Sequence, residues 1–195
     1  VRALAAAGAI VSIDTRHAQV MAEAIAAGAS IVNDITALTG DPASLDLIAR
    51  SPASVVLMHM RGEPRNMQAD PVYGDAPLEI RDYLAERVAA CQAAGIAPSR
   101  IAVDPGIGFG KNDSHNMALL RELGTLHELG VAVLLGVSRK SFIGRLSRGE
   151  APKARLAGSL VAGLAGLDRG VQILRVHDVS DTRQAIAVWQ ALALS

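Results

Sequence analysis

The sequence predicts an α/β fold of repeated strand–helix units around a parallel sheet, and three observations predict it. Six short apolar runs, largely β-branched, recur at residues 9–13, 30–32, 54–58, 100–103, 131–135 and 171–175. Amphipathic segments with helical spacing fill most of the intervals. Gly28, Gly95, Gly130 and Gly170 each follow such a segment, where a helix commonly ends in a left-handed residue. Strands that alternate with helices run parallel and are joined by right-handed crossovers. That arrangement closes as a (β/α)8 TIM barrel or spreads as a doubly wound open sheet. The barrel is the expected form, incomplete at about six βα units, with its first two strands missing. No linker-like stretch divides residues 1–195, so one domain is expected.

Residues 1–10 are apolar and Ala-rich and read as a helix end running into the first strand. They lack a charged leader with a cleavage site, and the absence of an initiator Met suggests a protein that begins upstream. Ala18, Met21, Ala22 and Ile25 form the first helical stripe. After the strand at 54–58, residues 60–74 hold two Pro and two Gly and are expected to form a mobile loop over the mouth of the fold. Leu84, Val88 and Cys91 make the next stripe, then Leu119, Leu123 and Leu126. Leu156, Leu160, Leu164 and Leu167 follow, and Ala185, Val188 and Leu192 come last.

Composition narrows the function. The formal net charge is zero, which argues against nucleic acid or a polyanionic surface as partner. No apolar run reaches membrane-spanning length. With one cysteine no intrachain disulfide can form, so a reducing, cytoplasmic setting is expected.

Polar residues stand at the C-terminal end of every strand: Asp14; Asn33 and Asp34; His59 and Arg61; Asp104; Ser138, Arg139 and Lys140; Arg175, His177 and Asp178. Ligands of parallel α/β folds bind at that edge. A lone Asp after a strand more often caps the next helix, which is the ordinary reading of Asp14, Asp34 and Asp178. Asp104 differs, because Pro105 and Gly106 delay the helix. Arg175 in an apolar run is costly unless an anion or carboxylate meets it. Alternation puts Ala102 with Asp104 on one face, and Ile173 with Arg175 and His177. His177 taken alone points either way. The loop 104–111 carries three glycines that let backbone approach a ligand, but it matches neither a Walker loop nor GxGxxG. Phe109 either stacks on a flat substrate or plugs the loop. Ser138 is expected to cap the helix that follows, whose free N–H groups favour an anion. Lys140 with Arg175 suggests a phosphorylated or carboxylated substrate. Cys91 reads as a buried thiol, and His17, His115 and His127 receive no role.

These stretches together resemble the dihydropteroate synthase family. They are Ser12-Ile13-Asp14-Thr15; Ile31-Val32-Asn33-Asp34-Ile35; Met58-His59-Met60-Arg61-Gly62 with Met67-Gln68; the loop 104–111; Ser138-Arg139-Lys140-Ser141-Phe142-Ile143-Gly144; and Arg175-Val176-His177-Asp178-Val179. Six motifs in the family's order span the whole chain. The resemblance implies a (β/α)8 barrel that condenses 7,8-dihydropterin-6-ylmethyl diphosphate with 4-aminobenzoate in folate biosynthesis, releasing diphosphate. It implies pterin binding by Asp14, Asn33, Asp104 and Lys140, and diphosphate binding by Arg175 and His177. Phe109 and Ser141 would meet the aminobenzoate. Asp14, Asp104, Lys140 and Arg175 would carry catalysis. It also implies Mg²⁺, held in the family by an Asn on an N-terminal loop that has no counterpart here, so no metal ligand is assigned in this chain. A homodimer is compatible with it.

Three other readings compete. A methyltetrahydrofolate–corrinoid methyltransferase barrel would share pterin acceptors but has no use for a diphosphate clamp. A non-catalytic pterin-binding fragment would bind without turnover, and the 195 residues alone are expected to be poorly soluble or inactive. A metal-dependent hydrolase barrel would need more ligands than His59 and His177.

Overall fold

The computed structural model describes residues 1–62, 67 and 71–193. Six parallel strands run in the order β1 (Ser12–Asp14), β2 (Ile31–Asp34), β3 (Ser54–Met58), β4 (Ile101–Asp104), β5 (Ala132–Leu135) and β6 (Ile173–Leu174). Between and around them lie α1 (Arg2–Ala6), α2 (Ala18–Ala26), α3 (Ser44–Arg50), α4 (Ala76–Ala93), α5 (Asp113–Arg121), α6 (Ser141–Arg145), α7 (Leu156–Leu167) and α8 (Val179–Ala193). Every strand pairs with its sequence neighbour, so the sheet curls in one direction without a reversal. A doubly wound sheet reverses its strand order; this one is six strands of a (β/α)8 barrel, open between β1 and β6.

Strand alternation builds two apolar layers. Val55, Leu57, Val103, Val133 and Leu135 point outward and pack under the helices with Met21, Ile48, Ile80, Leu84 and Cys91. Val56, Ala102 and Leu134 point inward with Ile31 and Ala132 and fill the base of the barrel. Asn33 shares the inward parity of Ile31, and Asp104 that of Ala102. The register places Asp14 opposite Asn33, Asn33 opposite Val56, and Met58 opposite Asp104. The polar strand ends therefore sit directly above the inner apolar layer.

Three expectations about elements change. The stripe Leu119, Leu123 and Leu126 is buried throughout, but the last two lie in a 3-10 stretch, Leu123–Leu129, rather than in α5. In α7 the four leucines are only half-buried, and the buried face is Ser159, Gly163 and Gly166. A Cβ on Gly166 would lie 2.4 Å from Leu135 Cδ2, so small residues bring α7 down onto the sheet. The stripe of α8 fails: Ala185 is half-buried, but Val188 and Leu192 are 57% and 75% exposed, on a helix that packs chiefly on α7 at the open edge. Of the loop expected over the mouth, residues 63–66 and 68–70, Gln68 included, lie outside the described residues. None of the described helices is long and apolar enough to cross a membrane.

Candidate functional site

Asp104 ends β4 inside the mouth of the barrel and is buried. Its Oδ1 accepts the Gly106 N–H at 2.7 Å. Burial pushes its carboxyl above the usual carboxylate range, while Lys140, the Gly106 N–H, Lys111 and Arg175 pull the other way. The glycine loop that follows lies flat on the end of β3. At Gly106, with φ +67°, an added Cβ would stand 2.0 Å from the His59 carbonyl oxygen. The same test at Gly110 ends 2.2 Å from the Arg61 carbonyl oxygen. The loop is glycine-rich because backbone touches backbone there, as well as to admit a ligand.

Asn33 is buried beside Asp14, and its Oδ1 has no hydrogen-bond partner among the described residues. An orphaned buried acceptor costs free energy comparable to a lost hydrogen bond, so an N–H donor from a bound molecule is its natural complement. Asp14 caps no helix; its carboxylate meets the Arg175 guanidinium across the open side of the mouth. Arg175 lies just past β6 and is exposed, so the cost expected for an arginine inside a strand does not arise. On the intervening strand end, a Cβ on Gly136 would come within 3.8 Å of Asp104 Oδ2 and 4.0 Å of Arg175 Cβ. The bare backbone there keeps open the space between the acid and the cation.

Lys140 reaches over the glycine loop to donate to the Ile107 carbonyl, and its Nζ is 4.8 Å from the centre of the Phe109 ring. Phe109, Lys140 and Ser141 share a cavity of about 190 Å³ with Asn116, whose buried Nδ2 is likewise unpartnered among the described residues. Asp14 and Asn33 line a second depression of about 270 Å³.

The helix-cap expectation for Ser138 is corrected. The N-cap position of α6 is Lys140, without a side-chain cap. Ser138 Oγ instead accepts the His177 N–H at 3.2 Å and lies 3.0 Å from His177 Nδ1. Among the described residues the Asp178 carboxylate accepts from no backbone N–H; it holds Arg139, a residue strained at φ 59°, by a bond of 3.0 Å from Nε. Asp34 is structural: its carboxylate accepts from Thr36 N–H and hydroxyl at 2.7 Å and from Leu38 N–H at 3.0 Å.

Two residues were missed by sequence reasoning. Lys111 is 1% exposed, with Nζ 3.0 Å from His59 Nδ1, 2.9 Å from the Phe109 carbonyl and 3.3 Å from the His59 carbonyl. Burial pushes its ammonium down to about 7 and the His59 imidazole down to about 3. Asn116 accepts the Gly108 N–H at 2.8 Å and ties the loop to α5. Neither sits at a strand end, so the pattern that exposed the others was silent.

The comparisons bear on this arrangement directly. The family model of the pterin binding enzymes matches residues 1–177. A dihydropteroate synthase of Neisseria meningitidis serogroup C is 46% identical over 191 residues, which are 96% of this chain and 67% of that protein. The chain belongs to the dihydropteroate synthase family. It spans about two thirds of the length of that relative. Among solved structures, the Stenotrophomonas maltophilia dihydropteroate synthase with active site-bound imidazole superposes with a TM-score of 0.95 at 44% identity, covering 98% of this chain and 72% of that one. The Xanthomonas albilineans enzyme in complex with 7,8-dihydropteroate gives 0.92 at 44% identity, covering 100% and 73%. A dihydropteroate synthase is a transferase of the folate pathway. Of the residues that the family resemblance singled out, Asp14 and Asn33 line one depression and Phe109, Lys140 and Ser141 another; Arg175 is paired with Asp14, His177 is bonded to Ser138, and Asp104 is buried at the end of β4. Among the described residues there is no group of three or more His, Cys, Asp or Glu that could hold a metal ion.

Proposed function

We propose that this chain supplies the pterin pocket and diphosphate clamp with which a dihydropteroate synthase joins 7,8-dihydropterin-6-ylmethyl diphosphate to 4-aminobenzoate. The observation that carries the reading is the orphaned Asn33 Oδ1, which stands beside Asp14 in a mouth where Asp104 is buried. The 2-amino-pyrimidine edge of a pterin is a row of N–H donors, and these three side chains are acceptors for it. Lys140 donates to ring oxygen or nitrogen, and Phe109 walls the flat system.

Chemistry follows from the opposite side of the mouth. The carbon–oxygen bond of the exocyclic methylene breaks, its electron pair leaving with diphosphate. Arg175 and His177 stabilise that charge. Arg175 rests on Asp14, and a diphosphate competes for the same guanidinium, which frees Asp14 to face the pterin. Positive charge on the pterin methylene is offset by Asp14 and Asp104. The aminobenzoate amine closes the new carbon–nitrogen bond and loses its proton to water. An arylamine is nucleophilic without activation, so positioning and electrostatics suffice. Ser141, exposed at the start of α6, faces the aminobenzoate carboxylate. Mg²⁺ belongs to this reading as a cation that would help to neutralise the leaving diphosphate; no ligand for it is assigned in this chain, and no step above depends on the ion.

The reading extends to a cytoplasmic protein acting on small molecules, without nucleic acid, and to a homodimer. The dimer is supported by the apolar groove of about 500 Å³ that Phe142, Leu146 and Val161 help to line outside the mouth. Sedimentation of the full-length protein tests it.

For the reaction, diphosphate release is measured in the full-length protein. Asp104→Asn and Arg175→Ala should each lower kcat/KM by roughly 10²–10³. Near-normal turnover in either variant overturns the site.

A further inference from the structure

Lys111 is the most enclosed cationic side chain of the mouth, and nothing in the proposed reaction uses it. It lies at the end of the glycine loop, yet its Nζ is turned back beneath that loop. Its three donors find three acceptors: the Phe109 carbonyl of its own loop, and the carbonyl and Nδ1 of His59 at the end of β3. His59 Nδ1 can accept only from a neutral ring, and burial keeps this imidazole neutral. A Cβ on Gly106 would come 3.3 Å from the same Nζ, so the ammonium lies against the turn whose N–H holds Asp104.

The charges around it are few. Lys111 faces Asp104 as its favourable charge, with Lys140 and Arg61 opposing and His115 beyond. Asp104 in turn faces Lys140, Lys111 and Arg175. Lys140 and Arg175 are the cations assigned to substrate, so they turn toward ligand when it binds. Lys111 alone among these is fixed by three bonds that no ligand reaches for.

We propose that Lys111 is a positioning residue for the pterin site: it pins the glycine loop to the end of β3 and, while protonated, supplies the positive charge that keeps Asp104 an acceptor. The proposal rests on the pterin reading for its catalytic consequence, but not for its electrostatics. Lys111 touches neither substrate nor reacting atoms, so its effect passes through Asp104.

Two variants separate charge from scaffold in the full-length protein. Lys111→Gln removes the charge and keeps donors for the His59 and Phe109 carbonyls. Lys111→Met removes both. The side-chain carboxyl of Asp104 is titrated by ¹³C NMR without pterin, and KM is measured for both substrates. In each variant the Asp104 midpoint should move up by about one pH unit, as expected when a nearby cation is lost. Measured below the Asp104 midpoint, the KM for the pterin diphosphate should rise about tenfold, with that for 4-aminobenzoate within about twofold. Because the titration needs no pterin, it judges Lys111 whether or not the wild-type protein turns over the pterin diphosphate, which judges the reaction. If Lys111→Met does not fold, Lys111→Gln carries the test. An unmoved Asp104 midpoint in Lys111→Gln overturns the proposal and leaves Lys111 a structural peg.

Discussion

Replacing Gly106 with alanine puts a methyl group where the His59 carbonyl already is. The ideal Cβ falls 2.0 Å from that oxygen, against ordinary contact beginning at 3.4 Å. Neither partner is a flexible side-chain end, so the loop must retreat from β3 by more than 1 Å. The backbone at φ +67° adds about 1–2 kcal/mol for any residue with a Cβ. Retreat also draws the Gly106 N–H from Asp104 Oδ1, now at 2.7 Å, and lifts Phe109 and the Lys111 contacts with it. A displacement of about 1 Å in a positioning element can cost roughly 10²-fold in rate. Gly95→Ala is the matched control: φ is +90° and nothing lies within 4 Å of the new Cβ, so only the backbone cost applies. Thermal unfolding should show both variants destabilised, Gly106→Ala more. Steady-state kinetics should show kcat/KM for the pterin diphosphate reduced roughly 10²-fold in Gly106→Ala and nearly unchanged in Gly95→Ala. Equal activity in the two variants would refute the claim that the loop's contact with β3 sets the site.

Other perturbations report on different parts of the molecule. Asp14→Asn breaks the pair with Arg175, whose side chains are both about half exposed, so unfolding free energy should change by less than about 1 kcal/mol. Turnover should nevertheless fall by more than tenfold, and a large stability loss with retained activity would reverse the assignment. For His59, burial holds the folded imidazole near 3 while the unfolded one titrates near 6.5. The unfolded state therefore binds the extra proton between those values, and this contribution is present above about 6.5 and lost as pH falls toward 3. Urea midpoints should drop through that window in the wild type and more shallowly in His59→Phe; parallel curves would place the acid sensitivity elsewhere. The 195-residue chain expressed alone should self-associate, since the sheet is open between β1 and β6 and Ile10, Ile173, Val188 and Leu192 are exposed. A sharp monomer peak in gel filtration at micromolar concentration would contradict this.

Most of the site was legible because it repeats with the fold. Asp14, Asn33, Asp104 and Arg175 lie at or just past the C-terminal ends of β1, β2, β4 and β6, so one rule about parallel sheets points to them all. The same rule overstated Ser138 as a cap, because a hydroxyl before a helix has another partner when a histidine crosses from β6. The apolar stripe of α4 held, because that helix covers the closed part of the sheet; that of α2 held in part, with Ala18 and Met21 buried and Ala22 and Ile25 half-buried. Those of α7 and α8 misled: α7 seats its smallest residues on the sheet, and α8 runs along the open edge.

Element type and order, the parallel sheet and the polar rim of the mouth were determined by the sequence itself. They rest on local periodicity and on residues that stop a strand, which need no knowledge of distant partners. Closure was not local. Asp14 meets Arg175 across 161 residues, and Lys111 meets His59 across 52. Whether a lysine is solvated or enclosed depends on how two loops from different strands come to rest, and that is decided by register and sheet curvature. Tertiary structure alone therefore decided which polar residues are buried, which are orphaned, and which hold the others in place.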